Sequence, residues 1–178
     1  CSTSFWNTQE MIRAILLAAG QSKRLGKQNK LLKIYKKKPL INHSLNSLSK
    51  SKVEKIIIVL GYQNEEVKKV IKKNKKFIYI INKNYKKGMA SSIKIGLEKV
   101  LKKNKGFIIV QSDMPYIKTT DINKIYNSIE KKKELVHVLK FKSKLGNPIG
   151  FNISLIKKLN KITGDFGAKF MVKRLKNE

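Results

Sequence analysis

Arg24 and Lys30 lie in residues 17–30, LAAGQSKRLGKQNK, directly behind an apolar run that holds Ile12, Ala14, Ile15, Leu16 and Leu17. Such a run reads as a strand buried on both faces of a parallel sheet, which puts the loop at the strand's carboxyl end. Ala18, Ala19 and Gly20 carry little side chain, so backbone N–H groups can approach phosphate oxygens while Arg24 and Lys30 supply positive charge. A small-residue turn followed by two cations is what a site for a nucleoside triphosphate requires.

Asp113, in QSDMPY, follows a second apolar run at 107–111 and so falls at the same sheet edge. Mg²⁺ is commonly held by one or two carboxylates together with substrate phosphates, and Asp113 can supply one such carboxylate opposite the first loop. The other reading is a turn aspartate bonding its own backbone ahead of Pro115. Pairing with the first loop favours the metal reading.

Three further segments carry polar groups on glycine-framed turns. Ser91 and Ser92, in GMASSIKIGL, stand at an expected helix start, where they either cap the helix or offer hydroxyls to a ligand. GNP at 146–148 and GDFGA at 164–168 are turns of a kind common between elements. His43 and His137 have no neighbours at metal spacing, and neither GxxxxGK[ST] nor GxGxxG occurs.

These segments need a frame at strand ends, and the rest of the chain provides one. Apolar runs at 55–60, 77–81 and 107–111 read as strands, with helices over 65–72, 91–101 and 121–131 between or after them, the last capped by Thr120. A short extended piece at 31–34 and a helix over 39–48 follow the first loop. A strand at 135–141, a strand-like return at 146–151 and helices at 154–159 and 167–175 complete the order. Alternating β and α elements predict an α/β domain of three layers, α/β/α, around a mostly parallel sheet with its site along the carboxyl edge.

The chain has 178 residues, enough for one domain with a substantial core. Its formal net charge of +30 invites a nucleic-acid reading, yet only Arg13, Arg24 and Arg174 among 41 basic residues are arginine. Arginine's planar fork is what base edges and phosphates are usually read with, so the lysines read as surface filler and specific nucleic-acid binding is set aside. No apolar run approaches the roughly 20 residues of a membrane-spanning helix. The single cysteine, Cys1, fits a reducing cytoplasm and excludes an internal disulfide. Residues 1–10 have no secretory pattern and read as a non-native or extended leader ahead of Met11, with residues 11–178 as the domain.

Taken in order, LAAGQSKRLGKQNKLL, GMASSIKIGL, QSDMP, GNPIGF and ITGDFGAKF resemble the motifs of the MobA-like NTP transferases over residues 11–174. Within that family the LAAG start, with Ala19 in place of a second glycine, is similar to the molybdopterin cytidylyltransferase branch. The resemblance implies a Rossmann-like nucleotidyltransferase domain that transfers CMP from CTP to the terminal phosphate of molybdopterin, with Mg²⁺ as cofactor. It implies that Leu17, Ala18, Ala19, Gly20, Gln21 and Ser22 contact the nucleotide. Arg24 would hold the outgoing phosphates, and Lys30 would stabilise charge at the α-phosphate. It assigns Mg²⁺ to Asp113, the base or ribose to Asn82, Ser91 and Ser92, and the acceptor side to Gly146, Asn147, Pro148 and Asp165. The family usually continues into an acidic segment beyond GDxGA, whereas this sequence stops at Glu178, so truncation, a single metal ligand and lost activity are all left open. Two alternatives stand beside the main reading. One is a transferase using another nucleotide or a sugar-phosphate or alcohol-phosphate acceptor. The other is a non-catalytic carrier of the cofactor to a molybdoenzyme client.

Overall fold

A computed structural model describes residues 11–22, 26, 28–131, 134–141, 144–164 and 172. The expectations for the leader at 1–10, for Arg24, for Asp165 and for the helix over 167–175 lie outside them, apart from Val172, which is buried.

The strands are β1 (Ile12–Ala18), β2 (Ile34–Tyr35), β3 (Lys38–Pro39), β4 (Ile56–Leu60), β5 (Phe77–Ile81), β6 (Gly106–Gln111), β7 (Val136–Phe141) and β8 (Lys144–Asn152). The helices are α1 (Ile41–Ser49), α2 (Asn64–Lys69), α3 (Met89–Leu97), α4 (Thr119–Lys131) and α5 (Ile156–Leu159). Six strands form one sheet in the order β5-β4-β1-β6-β8-β7, and β2 and β3 form a separate hairpin. The pairs β5–β4, β4–β1 and β1–β6 are parallel, whereas β8 runs antiparallel to both β6 and β7.

The alternation of β1 explains the layers. Ile12, Ala14, Leu16 and Ala18 enter one core with Leu45 and Leu48 of α1, Val67 of α2 and Ile122, Ile125 and Ile129 of α4. Ile15 enters the other with Ile93 and Leu97 of α3 and Leu159 of α5. Because both faces are covered, β4 reads as an unbroken apolar run and β1 as one interrupted only by Arg13, which is paired with Glu54 at 3.1 Å. The result is the expected three-layer α/β/α arrangement.

Along the chain, successive strands step outward from β1 to β4 and β5, then return to place β6 on β1's other side. That reversal leaves a crevice between the loops after β1 and β6, where open α/β sheets bind ligands. β8 ladders on β6 as far as Ile109 opposite Ile149. Pro148, Asn147 and Gly146 therefore continue toward the end of β6 that leads to Asp113.

Local departures from the sequence reading have clear causes. The extended piece expected at 31–34 is a 3-10 turn at Lys30–Leu32, because the Asn29 side chain accepts the Leu31 N–H and caps it. The helix expected over 39–48 yields its first residue to the β2–β3 hairpin, whose turn residues Lys36 and Lys37 both have positive φ. The last helix before β7 starts at Thr119, so Thr120 lies within it instead of capping it, and the Asp121 carboxylate of its first turn accepts the Lys118 N–H just ahead of it.

Candidate active site

β1 and β6 pair through Leu17 opposite Gln111, and the chain leaves both strands into one cleft. The cleft has a volume of about 910 Å³ and is lined on this side by Leu17, Ala19–Ser22, Lys30, Leu31 and Gln111–Asp113. Its other wall is the segment Tyr85–Met89 with Ser92.

Both exits are held in place by hydrogen bonds. The Ser112 N–H and hydroxyl donate to the Leu17 carbonyl at 3.2 and 2.7 Å, tying the end of β6 to β1. The Ser44 hydroxyl donates to the Ser112 carbonyl at 3.1 Å from below. On the same side, Asn29 is 3 % exposed; its amide donates to the Tyr62 carbonyl at 3.2 Å while its oxygen caps the 3-10 turn at Leu31. The Lys30 N–H donates to the Ser22 hydroxyl at 3.1 Å, and Ser22 itself has a φ of 53°. Lys30 is therefore presented by a built turn rather than by a loose loop.

The two anchored ends meet through their side chains. Lys30 Nζ lies 3.0 Å from Asp113 Oδ2, although 83 residues separate them in sequence. The pair is half exposed, with side-chain exposures of 47 % for Lys30 and 39 % for Asp113, so solvent screens it and it contributes little to stability.

Gly20 lines the cleft, and an added methyl there would meet no atom of the other described residues within 4 Å, its chain neighbours aside. The room beside it is open to a ligand. Ala18, in contrast, is 1 % exposed and packs into the core. Gly61, after β4, closes against the loop: an added methyl would stand 2.7 Å from the Ala19 Cβ and 2.9 Å from the Ala19 carbonyl.

The opposite wall departs from the expected helix start. α3 begins at Met89, and Gly88, at φ 95° and ψ 178°, is its N-cap in a region essentially reserved for glycine. Ser91 and Ser92 lie inside the helix and do not cap it. The Ser91 hydroxyl donates to the Gly88 and Asn84 carbonyls at 2.8 and 3.1 Å. Asn82 is 2 % exposed, and its amide donates to the Ser91 and Ser92 hydroxyls at 2.8 and 3.0 Å while its oxygen accepts the Asn84 N–H at 2.9 Å. Asn82 thus fixes Ser92, which lines the cleft, from beneath. The Ala90 N–H donates to the Gly164 carbonyl at 3.2 Å, which brings the start of the GDFGA segment to the same helix end.

Lys86, Lys87, Tyr85 and Gln111 also line the cleft, and none was singled out from the sequence. Among the described lining residues three lysines, Lys30, Lys86 and Lys87, face a single carboxylate, Asp113. The cleft favours a polyanion. The described residues hold no cluster of three or more His, Cys, Asp or Glu that could cage a metal. The donor chemistry at Asp113 fits Mg²⁺ as an ion completed by phosphate oxygens and water. No helix among the described residues is long and apolar enough to cross a membrane.

Residues 14–178 match the family described as MobA-like NTP transferase domain. The chain belongs to this family. As a MobA-like domain it shares 31 % identity over 134 residues with 2-C-methyl-D-erythritol 4-phosphate cytidylyltransferase of Lachnoclostridium phytofermentans, covering 71 % of this chain and 55 % of that protein. It shares 26 % identity over 139 residues with the bifunctional protein GlmU of Staphylococcus epidermidis, covering 78 % of this chain and 30 % of GlmU. The chain thus spans about half and about a third of the length of these two curated relatives. Among solved structures the MobA-like domain superposes on Rv0371c from Mycobacterium tuberculosis H37Rv with a TM-score of 0.82 at 21 % identity, covering 93 % of this chain and 84 % of that one. Rv0371c has also been solved in complex with manganese, which matches this chain with a TM-score of 0.76 at 18 % identity over 92 % of this chain and 82 % of that one. These superpositions establish a shared fold.

Proposed function

We propose that the chain transfers CMP from CTP to the terminal phosphate of molybdopterin, releasing pyrophosphate. The observation that carries this reading is the meeting of Lys30 and Asp113 at 3.0 Å across the β1–β6 crevice, beside an open wall at Gly20. A phosphate oxygen of the acceptor attacks the α-phosphorus, the bond from that phosphorus to the bridging oxygen breaks, and pyrophosphate leaves with the electron pair. Such a transfer needs in-line positioning and charge neutralisation more than covalent help from the protein.

Each residue has a part in that chemistry. The segment Leu17, Ala18, Ala19, Gly20, Gln21 and Ser22 offers backbone groups to the nucleotide, and Lys30 stabilises the charge that grows on the α-phosphate. Arg24 takes the outgoing phosphates. Asp113 would hold Mg²⁺, which when bound would supply charge neutralisation for the triphosphate. Ser92, set by Asn82 and flanked by Ser91, faces the nucleoside, while Gly146, Asn147, Pro148 and Asp165 serve the acceptor. The manganese complex of Rv0371c supports a divalent cation in this fold, and the cytidylyltransferase among the relatives supports cytidine as the base. We place the reaction in the cytoplasm.

One observation favours a second acceptor. The relative at 31 % identity is by name a cytidylyltransferase of an alcohol phosphate, 2-C-methyl-D-erythritol 4-phosphate. Incubation with CTP and each acceptor in turn, followed by product mass, separates the two. Molybdopterin cytosine dinucleotide supports the main reading, and CMP transfer to the erythritol phosphate alone replaces it.

A further inference from the structure

We propose that Lys30 is the resident counter-ion of Asp113: its ammonium occupies the carboxylate in the ligand-free chain, and a divalent cation arriving there displaces it toward the phosphates. This rests on the reading of Asp113 as the carboxylate for that cation. Two observations point to it. Lys30 Nζ contacts Asp113 Oδ2 at 3.0 Å, so the carboxylate meets any incoming cation already neutralised.

The second is that both backbones are fixed while the side chains are free to part. Ser112, next to Asp113, is tied to Leu17 through its N–H and hydroxyl, and Lys30 is tied to Ser22 through its N–H. Asn29 pins the turn that carries Lys30. Separation of the pair therefore needs only rotation about the lysine's four-carbon stem, and at 47 % and 39 % exposure neither partner is locked by packing. An ion of charge +2 at the carboxylate repels the ammonium beside it. The nearest use for the released charge is the polyanion that the cleft is built to hold.

One consequence is that Lys30 and a divalent cation compete for Asp113 when no phosphate is present. The same lysine and cation act together once a triphosphate is bound. Lys30 is in that sense a positioning residue for its own carboxylate partner before it meets substrate.

The test is Mn²⁺ alone, titrated into the nucleotide-free protein and read by loss of the free-ion electron paramagnetic resonance signal. Lys30→Met should tighten Mn²⁺ binding about fivefold at low salt, as removal of a half-exposed ionic competitor allows. Lys86→Met removes the same charge from the opposite wall of the cleft, without that contact, and should change binding much less. Asp113→Asn should lose Mn²⁺ binding altogether. Equal or weaker binding by Lys30→Met, or equal tightening by Lys86→Met, overturns the counter-ion role while leaving Asp113 as the cation's ligand. Unchanged Mn²⁺ binding by Asp113→Asn overturns the reading of Asp113 itself, and the counter-ion role with it.

Discussion

Lys30 and Asp113, 83 residues apart, meet at 3.0 Å because the sheet places β1 and β6, the strands whose exits lead to them, side by side at the point where its order reverses. The contact is half exposed, so its purpose is not stability. Replacing Lys30 by Ala should leave the melting temperature close to that of the parent chain. The same change should lower kcat by on the order of 10², the scale of losing a charge contact made in the transition state. Thermal unfolding and steady-state pyrophosphate release check both halves.

Asp113→Ala should remove activity and its dependence on added Mg²⁺ together. Activity measured over a range of Mg²⁺ concentrations checks this. A variant that still responded to Mg²⁺ like the parent would place the ion elsewhere.

Asn29 is buried and bonded on both sides, to the Tyr62 carbonyl and the Leu31 N–H. Asn29→Ala should cost about 1–2 kcal/mol of stability through the lost cap and the lost hydrogen bond to the Tyr62 carbonyl. It should also lower kcat more than it raises KM, because it frees the turn that presents Lys30. Asn29→Ser keeps a capping oxygen without burying a charge and loses the bond to Tyr62, so it should recover part of the loss. Chemical denaturation and a kcat and KM comparison of the two variants test the role.

Two glycines should respond in opposite ways. At Gly20 an added methyl meets no atom of the other described residues within 4 Å, its chain neighbours aside, so Gly20→Ala should preserve stability and weaken nucleotide binding by filling ligand space. At Gly61 the methyl would press on Ala19, so Gly61→Ala should cost about 1–3 kcal/mol and disturb the loop as well. Melting curves alongside nucleotide affinity distinguish the pair.

The central strands were legible because they are buried on both faces: IRAILLA and IIIVL leave no other reading once the intervening helices are seen. The edge was less so. Lys36 and Lys37 make a hairpin turn with positive φ without the Asn or Gly that usually announces one, so β2 and β3 were invisible in the sequence. Lys86 and Lys87 were hidden for a different reason. In a chain with 41 basic residues, two lysines in a cleft look like all the others until the fold sets them in the wall of the cleft that Asp113 also lines.

The site shows the same division. The sequence puts Asp113 opposite the 17–30 loop, but its contact with Lys30 depends on a turn that rests on Asn29, which carried no signal of its own. Asn82 was read as a nucleotide contact, whereas its side chain lies 2 % exposed beneath Ser91 and Ser92. Asn82→Ala should accordingly cost about 1–3 kcal/mol, the scale of a buried network left unsatisfied. It should raise the KM for the nucleotide more than it lowers kcat, since Ser92 loses its support. Denaturant midpoints and initial rates across nucleotide concentrations read the two effects.

The most direct test of the functional account is pyrophosphate release by the parent chain with molybdopterin and Mg²⁺, measured separately with CTP, GTP, ATP and UTP. The account predicts release with CTP well above the other three. Preference for GTP, or no release with any of the four, contradicts it.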